Sequence, residues 1–280
     1  SECMVRMARH LYEETNLPNL CMAGGVALNC VANGEILRNV PFRQIFIQPA
    51  ASDAGGALGV ASYICHMLLN QPRRFVQRHA FLGPAFSNGE IESYLKSQEV
   101  KYQVLSREEL LEKTARLIAH QHVVGWFQGR MEFGPRALGA RSILADPRNP
   151  ENRDRVNLKI KFREGFRPFA PSVLVERVSE YFDLQSPSPF MLLVAPVRPE
   201  KRVIPAVTHV DGSARIQTVS REENLLYYDL IKEFERQTGC PVILNTSFND
   251  AGEPIVETPE DALRCFLKTE MDVLVVHEWV

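Results

Sequence analysis

No apolar run in this 280-residue chain is longer than a β-strand; Val123–Phe127 and Val273–Val276, for example, are strand-sized. A membrane helix needs about 20 consecutive apolar residues, so no membrane partner is expected. The core must instead be assembled from short strands stacked on amphipathic helices. Helical spacing of Met4, Met7, Ala8, Leu11 and Tyr12 predicts a helix over residues 3–15. Short strands at 20–23 and 45–47 alternate with helices at 31–38 and 57–69. Further helices are expected at 88–97, 107–120, 222–238 and 259–269, with strands at 123–127, 242–244 and 272–276. This alternation predicts an α/β fold.

The stretch Asn70–Pro84 is basic, lacks a clear period and is bounded by Pro72 and Pro84. It reads as a linker, residues 71–83, between a first unit over 1–70 and a second over 84–280. From Gln128 to Ser172 the chain is dense in Gly, Pro and Arg, which predicts a loop-rich functional surface.

With 32 Lys and Arg against 34 Asp and Glu, the net charge is −2. Bulk affinity for nucleic acid needs a basic surplus, so no nucleic-acid partner is expected. Six scattered cysteines form no CxxC pair and no zinc or disulfide framework. Reduced thiols and a cytoplasmic location fit that pattern, as does an N-terminus without a signal peptide.

Against this neutral background one local excess stands out. The run from Gly125 to Ser142 interleaves Arg130, Arg136 and Arg141 with four glycines, a proline and Glu132. Glycine-exposed backbone beside forked guanidinium groups suits phosphate recognition, and Glu132 is placed to hold one arginine. Lys159, Lys161, Arg163 and Arg167 follow on a stretch stiffened by Pro168 and Pro171 and anchored by Phe162, Phe166 and Phe169. Arg215 offers another fork. Asn245, Thr246 and Ser247 end a strand with an amide and two hydroxyls, suited to a small polar group, although this segment and the one around Arg215 also read as ordinary turns. His209 lies near Asp211, but the sequence places no nucleophile beside them for a hydrolytic triad.

Two motifs precede the linker. Gly24 and Gly25 follow a strand and open a helix whose N-terminal amides favour anions, with Asn29 nearby to orient a sugar or base; the alternative is a plain strand–helix turn. Asp53 stands among small residues before an apolar helix, as an N-cap or as a ligand for a divalent ion, and spacing alone favours the cap.

Taken together, Gly24–Asn33, Ser52–Gly59, Gln128–Ser142, Phe166–Pro171 and Leu244–Asn249 resemble the O-carbamoyltransferases that act on nodulation factors, tobramycin, cephalosporins and novobiocin-type antibiotics. The resemblance covers nearly the whole chain. It implies the end of a metal-dependent domain of the actin/sugar-kinase superfold, then a YrdC-like domain with a twisted open sheet. It implies two steps: carbamoyl phosphate and ATP (with Mg) yield carbamoyl adenylate, whose carbamoyl group passes to an acceptor hydroxyl. Arg136, Lys161 and Arg167 would be catalytic and, with Arg130 and Arg215, would bind carbamoyl phosphate and ATP. Asn245 and Ser247 would read the carbamoyl group. Gly24, Gly25 and Asn29 would lie along the adenylate. Asp53 would ligate an iron-type divalent metal, reversing the cap preference.

The family's HxxxH metal motif is absent; His120 and His122 are two apart and lie in the second unit. Because the chain also begins with Ser1, it is expected to be the C-terminal portion of a longer protein, its partner the N-terminal half of that protein, incomplete for the transfer step. The acceptor hydroxyl is not read from these residues, and there is room for a homodimer. The competing reading is a YrdC-type nucleotide- or RNA-binding module without transfer chemistry.

Overall fold

The computed structural model describes all residues 1–280. Helix α1 (Glu2–Thr15), strand β1 (Asn19–Met22), α2 (Cys30–Asn39) and β2 (Gln44–Ile47) form a first unit whose two strands pair in parallel. Ala8, Leu20, Ile36, Val40 and Phe42 make its small core. Helix α3 (Ala54–Tyr63) follows and continues as a wider turn to Leu68; no residue of it is buried.

The second unit is built on a seven-stranded mixed open sheet. Its strands are β3 (Val124–Phe127), β4 (Arg141–Ala145), β5 (Ala170–Leu174), β6 (Leu193–Pro196), β7 (Ser213–Val219), β8 (Val242–Ser247) and β9 (Val273–Val276), in the spatial order β6-β7-β5-β8-β4-β3-β9. The β5/β7 and β3/β9 pairs are parallel and the rest antiparallel. Helices α4 (Asn88–Ser97), α5 (Arg107–Ala119), α6 (Glu151–Arg155), α7 (Val178–Tyr181), α8 (Leu225–Thr238) and α9 (Pro259–Lys268) complete it. Ser87 with Glu90, Ser106 with Glu109 and Thr258 with Asp261 close capping boxes that start α4, α5 and α9.

The expected alternation holds outside residues 128–220. Where a loop-rich surface is expected, β4 and β5 run through the middle of the sheet, fully buried. Arg141, which makes β4 look like surface, is itself completely buried. Strands β6 and β7 lie outside the sequence expectation, and Arg215 lies on β7 rather than in a turn.

Residues 70–79 lack regular structure, as a linker should, but 80–84 do not hang free. Phe133 N–H donates to the Ala80 carbonyl at 2.6 Å, Gly83 N–H to Met131 at 2.9 Å, and Met131 N–H to Pro84 at 2.9 Å. This segment lies alongside the arginine-bearing loop.

Helix α2 covers the open edge of the sheet. Asn33 Nδ2 donates to the carbonyls of Ala27 (2.8 Å) and Leu192 (3.0 Å), and Arg38 to that of Val194 (3.0 Å). Unpaired carbonyls at an edge strand invite pairing by another chain, and these two are taken by side chains. Ala27, Ile47 and Ala51 belong to the same buried cluster as the sheet core. The approach is close enough that a Cβ on Gly34 would sit 2.2 Å from the Val194 carbonyl oxygen. Gly34→Ala is therefore expected to destabilise the protein by about 1–3 kcal/mol, read as a lower urea midpoint; an unchanged midpoint would show that α2 does not depend on this contact.

Candidate active site

Strand register puts the site together. Partners across a ladder point to the same face, so Ser172 beside Gln217 and Ala170 beside Asn245 place Ser172, Gln217, Asn245, Arg215 and Ser247 on one face of the sheet. Over that face lies the loop 128–140, carrying Arg136.

The loop is irregular yet buried or half-buried over most of its length, so its peptide groups need partners. Arg141, at its far end, supplies donors for the carbonyls: Gln128 at 3.0 Å, Ala140 at 3.1 Å, and Gly129 at 3.2 Å from each terminal nitrogen. Its guanidinium lies 3.5 Å from the centre of the Phe127 ring. Burial lowers its pKa to about 10, leaving it cationic at neutral pH. Glu132 Oε1 accepts from the amides of Leu138 (2.6 Å), Ala140 (2.8 Å) and Arg141 (3.4 Å). Asn245 Nδ2 donates to the Ala137 carbonyl at 3.3 Å, Gln217 Nε2 to Leu138 at 2.8 Å, and Trp126 Nε1 to Gly139 at 3.1 Å. Gly139 has φ 103°, and a Cβ there would lie 2.3 Å from the Tyr227 ring; only glycine fits. Glu132 thus holds backbone amides, not an arginine side chain as the sequence suggested.

On this frame Arg136 and Arg215 lie close together. Neither makes a side-chain hydrogen bond or ion pair, and the Nε of each is buried without a partner. Burial lowers both pKa values, Arg215's to about 10, and the Arg136 charge adds to the effect on Arg215. Two desolvated cations without an anion are electrostatically unfavourable, and a bound phosphate would relieve both. Cys30, at the start of α2, is near enough to act on both arginines, so the first unit borders this pair. Arg163 is also near Arg215 and donates to Asn157 Oδ1 at 2.7 Å.

The other expected residues are placed differently. Lys161 is buried, its ammonium surrounded by the Ser247 carbonyl, the Ser247 hydroxyl at 3.2 Å, and the Asn249 carbonyl and Oδ1 at 2.9 and 2.5 Å. It ties the end of the wider helical turn that continues α6 (Val156–Ile160) to the end of β8. Arg167 is exposed and paired with Glu164 at 2.9 Å. Arg130 is exposed and donates to the Leu82 carbonyl at 3.1 Å. Asn245 is fully buried; its amide also donates to Ser172 Oγ (3.1 Å) and Gln217 Oε1 (2.9 Å), while its Oδ1 has no partner. Ser247 Oγ is bonded to Asn249 Oδ1 at 2.7 Å.

Asn29 is the N-cap of α2, accepting from Ala32 N–H at 3.1 Å, and a Cβ on Gly24 or Gly25 would meet nothing within 4 Å. Asp53 stands at the N-cap position of α3 but makes no capping bond. No three His, Cys, Asp or Glu residues of this chain gather to hold a metal. Ser213 Oγ does touch both His209 Nδ1 (2.9 Å) and Asp211 Oδ1 (2.7 Å), a contact the sequence did not show. The serine lies between the other two rather than beside a histidine they share, which is not the order of a hydrolytic triad. Gln217 and Tyr227 carry no signal in the sequence, Tyr227 being an ordinary residue of an expected helix and Gln217 lying outside any expected element; only the register across β5, β7 and β8 gives Gln217 its place.

The family model described as carbamoyltransferase C-terminus matches residues 115–280, more than half of the chain, and the one described as carbamoyltransferase N-terminus matches residues 1–62. The chain belongs to the carbamoyltransferase family. Nodulation protein NolNO of Sinorhizobium fredii is 47% identical over 97% of this chain and 41% of its own length. Nodulation protein NolO of Bradyrhizobium diazoefficiens is 46% identical over 96% of this chain and 50% of its own. An uncharacterized Synechocystis protein is 54% identical over 99% of this chain and 49% of its own. The chain thus spans about half the length of the curated relatives it matches. A full-length HypF structure, bound to phosphate and nucleotide, aligns with 63% of this chain and 22% of its own at 17% identity and a TM-score of 0.44. A Pyrococcus abyssi Sua5 structure gives 14% identity over 62% of this chain and 50% of its own, with the same TM-score. Neither likeness is close enough to decide the fold. No helix of this carbamoyltransferase chain is long and apolar enough to cross a membrane.

Burial moves the Lys161 pKa from 10.5 down to about 7. Between these values the unfolded chain holds a proton that the folded chain lacks, so stability should rise with pH over that window. Urea unfolding at pH 7.5 and 9.5 is expected to show an alkaline gain of up to roughly 2 kcal/mol that Lys161→Met abolishes; an equal gain in both proteins would place the titrating group elsewhere.

Proposed function

We propose that this chain is the C-terminal portion of an ATP-dependent O-carbamoyltransferase and that the Arg136–Arg215 pair holds the phosphates. In this reading residues 1–70 end the metal-dependent transfer domain, 71–83 link, and 84–280 form a YrdC-like domain. There water would take the phosphoryl group from carbamoyl phosphate, giving phosphate and carbamate, and the carbamate oxygen would attack the α-phosphate of ATP, displacing pyrophosphate. The resulting carbamoyl adenylate then carbamoylates an acceptor hydroxyl. The observation that carries the reading is the pair of half-buried guanidinium groups without any anionic partner. Fixed positive charge in a desolvated site stabilises the negative charge gathered when two phosphate-bearing substrates meet.

Lys161 has a structural part: it sets the end of β8, where Ser247 and Asn249 stand, rather than reaching for phosphate from its present position. Arg167 and Arg130, on the rim, would turn toward a bound nucleotide. Asn245 supports the Ala137 carbonyl next to Arg136, while its unpartnered Oδ1 offers an acceptor for a carbamoyl N–H after a local shift. Mg would accompany ATP. The metal step would need ligands beyond Asp53, supplied by the N-terminal half of the longer protein. The uncovered apolar side chains Val60, Tyr63, Ile64, Met67, Leu68 and Leu69 support docking of that half on α3 and the turn after it.

Exchange of labelled pyrophosphate into ATP, measured on the full-length protein with carbamoyl phosphate or bicarbonate, tests the reading. Exchange is expected, and Arg136→Ala or Arg215→Ala should reduce it on the order of 10²-fold. Arg130→Ala should cost less. A folded wild-type protein without exchange would overturn the assignment.

A further inference from the structure

We propose that Glu132 is a positioning residue that sets Arg136 in the phosphate site by closing the loop that carries it; this rests on the carbamoyl-adenylate reading of that site. Glu132 is 5% exposed, and all its hydrogen bonds are to main-chain amides of the loop's returning limb, at Leu138, Ala140 and Arg141. Convergent backbone N–H groups make an anion-binding nest, and here one of the chain's own carboxylate oxygens fills it. Arg136 sits midway along the segment so closed. The other oxygen, Oε2, is buried without a partner, so burial is incompletely compensated.

The closure has few alternatives. Gly134 (φ 139°) and Gly139 (φ 103°) lie on either side of Arg136. A Cβ on Gly134 would sit 2.9 Å from the Pro49 carbonyl oxygen, and one on Gly139 would strike the Tyr227 ring. Arg141, Gln217 and Asn245 hold the loop's carbonyls but none of its amides. Ser142 Oγ accepts only from Gly139 N–H, at 3.0 Å. Without the carboxylate, three buried amides lose their partner, the limb loosens, and Arg136 no longer stands beside Arg215. Glu132 itself need not touch substrate.

The test pairs hydrogen exchange with a kinetic cycle in the full-length protein. In Glu132→Gln the amides of Leu138, Ala140 and Arg141 should exchange about tenfold faster or more, with those of Ile143–Ala145 unchanged. The KM for carbamoyl phosphate in pyrophosphate exchange should rise about tenfold, and Glu132→Gln added to Arg136→Ala should cost nothing further, because both act through one arginine. Glu132→Asp, which keeps a carboxyl group, should fall between wild type and Gln and serves if Gln does not fold. Unchanged amide exchange in the folded variant overturns the proposal, as do losses that multiply with those of Arg136→Ala. Absence of pyrophosphate exchange in wild type would instead defeat the functional reading, and the loop-closing role would then stand or fall on the amide protection alone.

Discussion

An irregular segment can be buried only if its peptide groups are satisfied, and much of that work in residues 128–141 falls to Arg141, Glu132 and a few neutral side chains, helped by the backbone of residues 80–84. Arg141 collects carbonyls at the two ends, Glu132 collects amides on the returning limb, and Trp126, Gln217 and Asn245 take the carbonyls between. Both side chains therefore act on the backbone rather than simply on each other. A loop held this way can keep Arg136 beside Arg215 against their mutual repulsion. Leaving such a pair unneutralised is costly, and the cost is sustained by the loop's hydrogen bonds and the sheet beneath. That arrangement is preorganised for an anion.

The first unit contributes to the same place. Asn33 and Arg38 cap carbonyls at the β6 edge, and this docking brings Cys30 near the two arginines. The stretches matched by the N-terminal and C-terminal carbamoyltransferase models thus meet beside the arginine pair. In the proposed reaction, an intermediate made on the sheet would have a short way to go to the domain that uses it.

Much of the fold was legible in the sequence because hydrophobic periodicity and capping signals are local. Helix α4 runs over Asn88–Ser97, as its spacing predicts, and α1, α2, α5 and α9 differ from expectation by only a residue or so. Strands β4, β5 and β7 were hidden for a common reason: their polar residues are satisfied by distant partners. Arg141 opens β4 because carbonyls from residues 128 and 129 surround it, and Ser172 and Gln217 sit in the sheet because they bond each other at 2.6 Å. For the site, residue type indicated a phosphate-binding surface, but not which of its cations would stay free. Arg167 has Glu164 three residues away, Lys161 is enclosed by Ser247 and Asn249 from far along the chain, and Arg136 and Arg215 are left with buried, unpartnered nitrogens. That distinction depends on long-range contacts, as does the role of Glu132.

The most direct measurement is a crystal structure of the full-length protein soaked with carbamoyl phosphate and a non-hydrolysable ATP analogue. The account predicts phosphate density between the Arg136 and Arg215 guanidinium groups, within hydrogen-bonding distance of both. Phosphates bound elsewhere, with these two side chains still unpartnered, would contradict it.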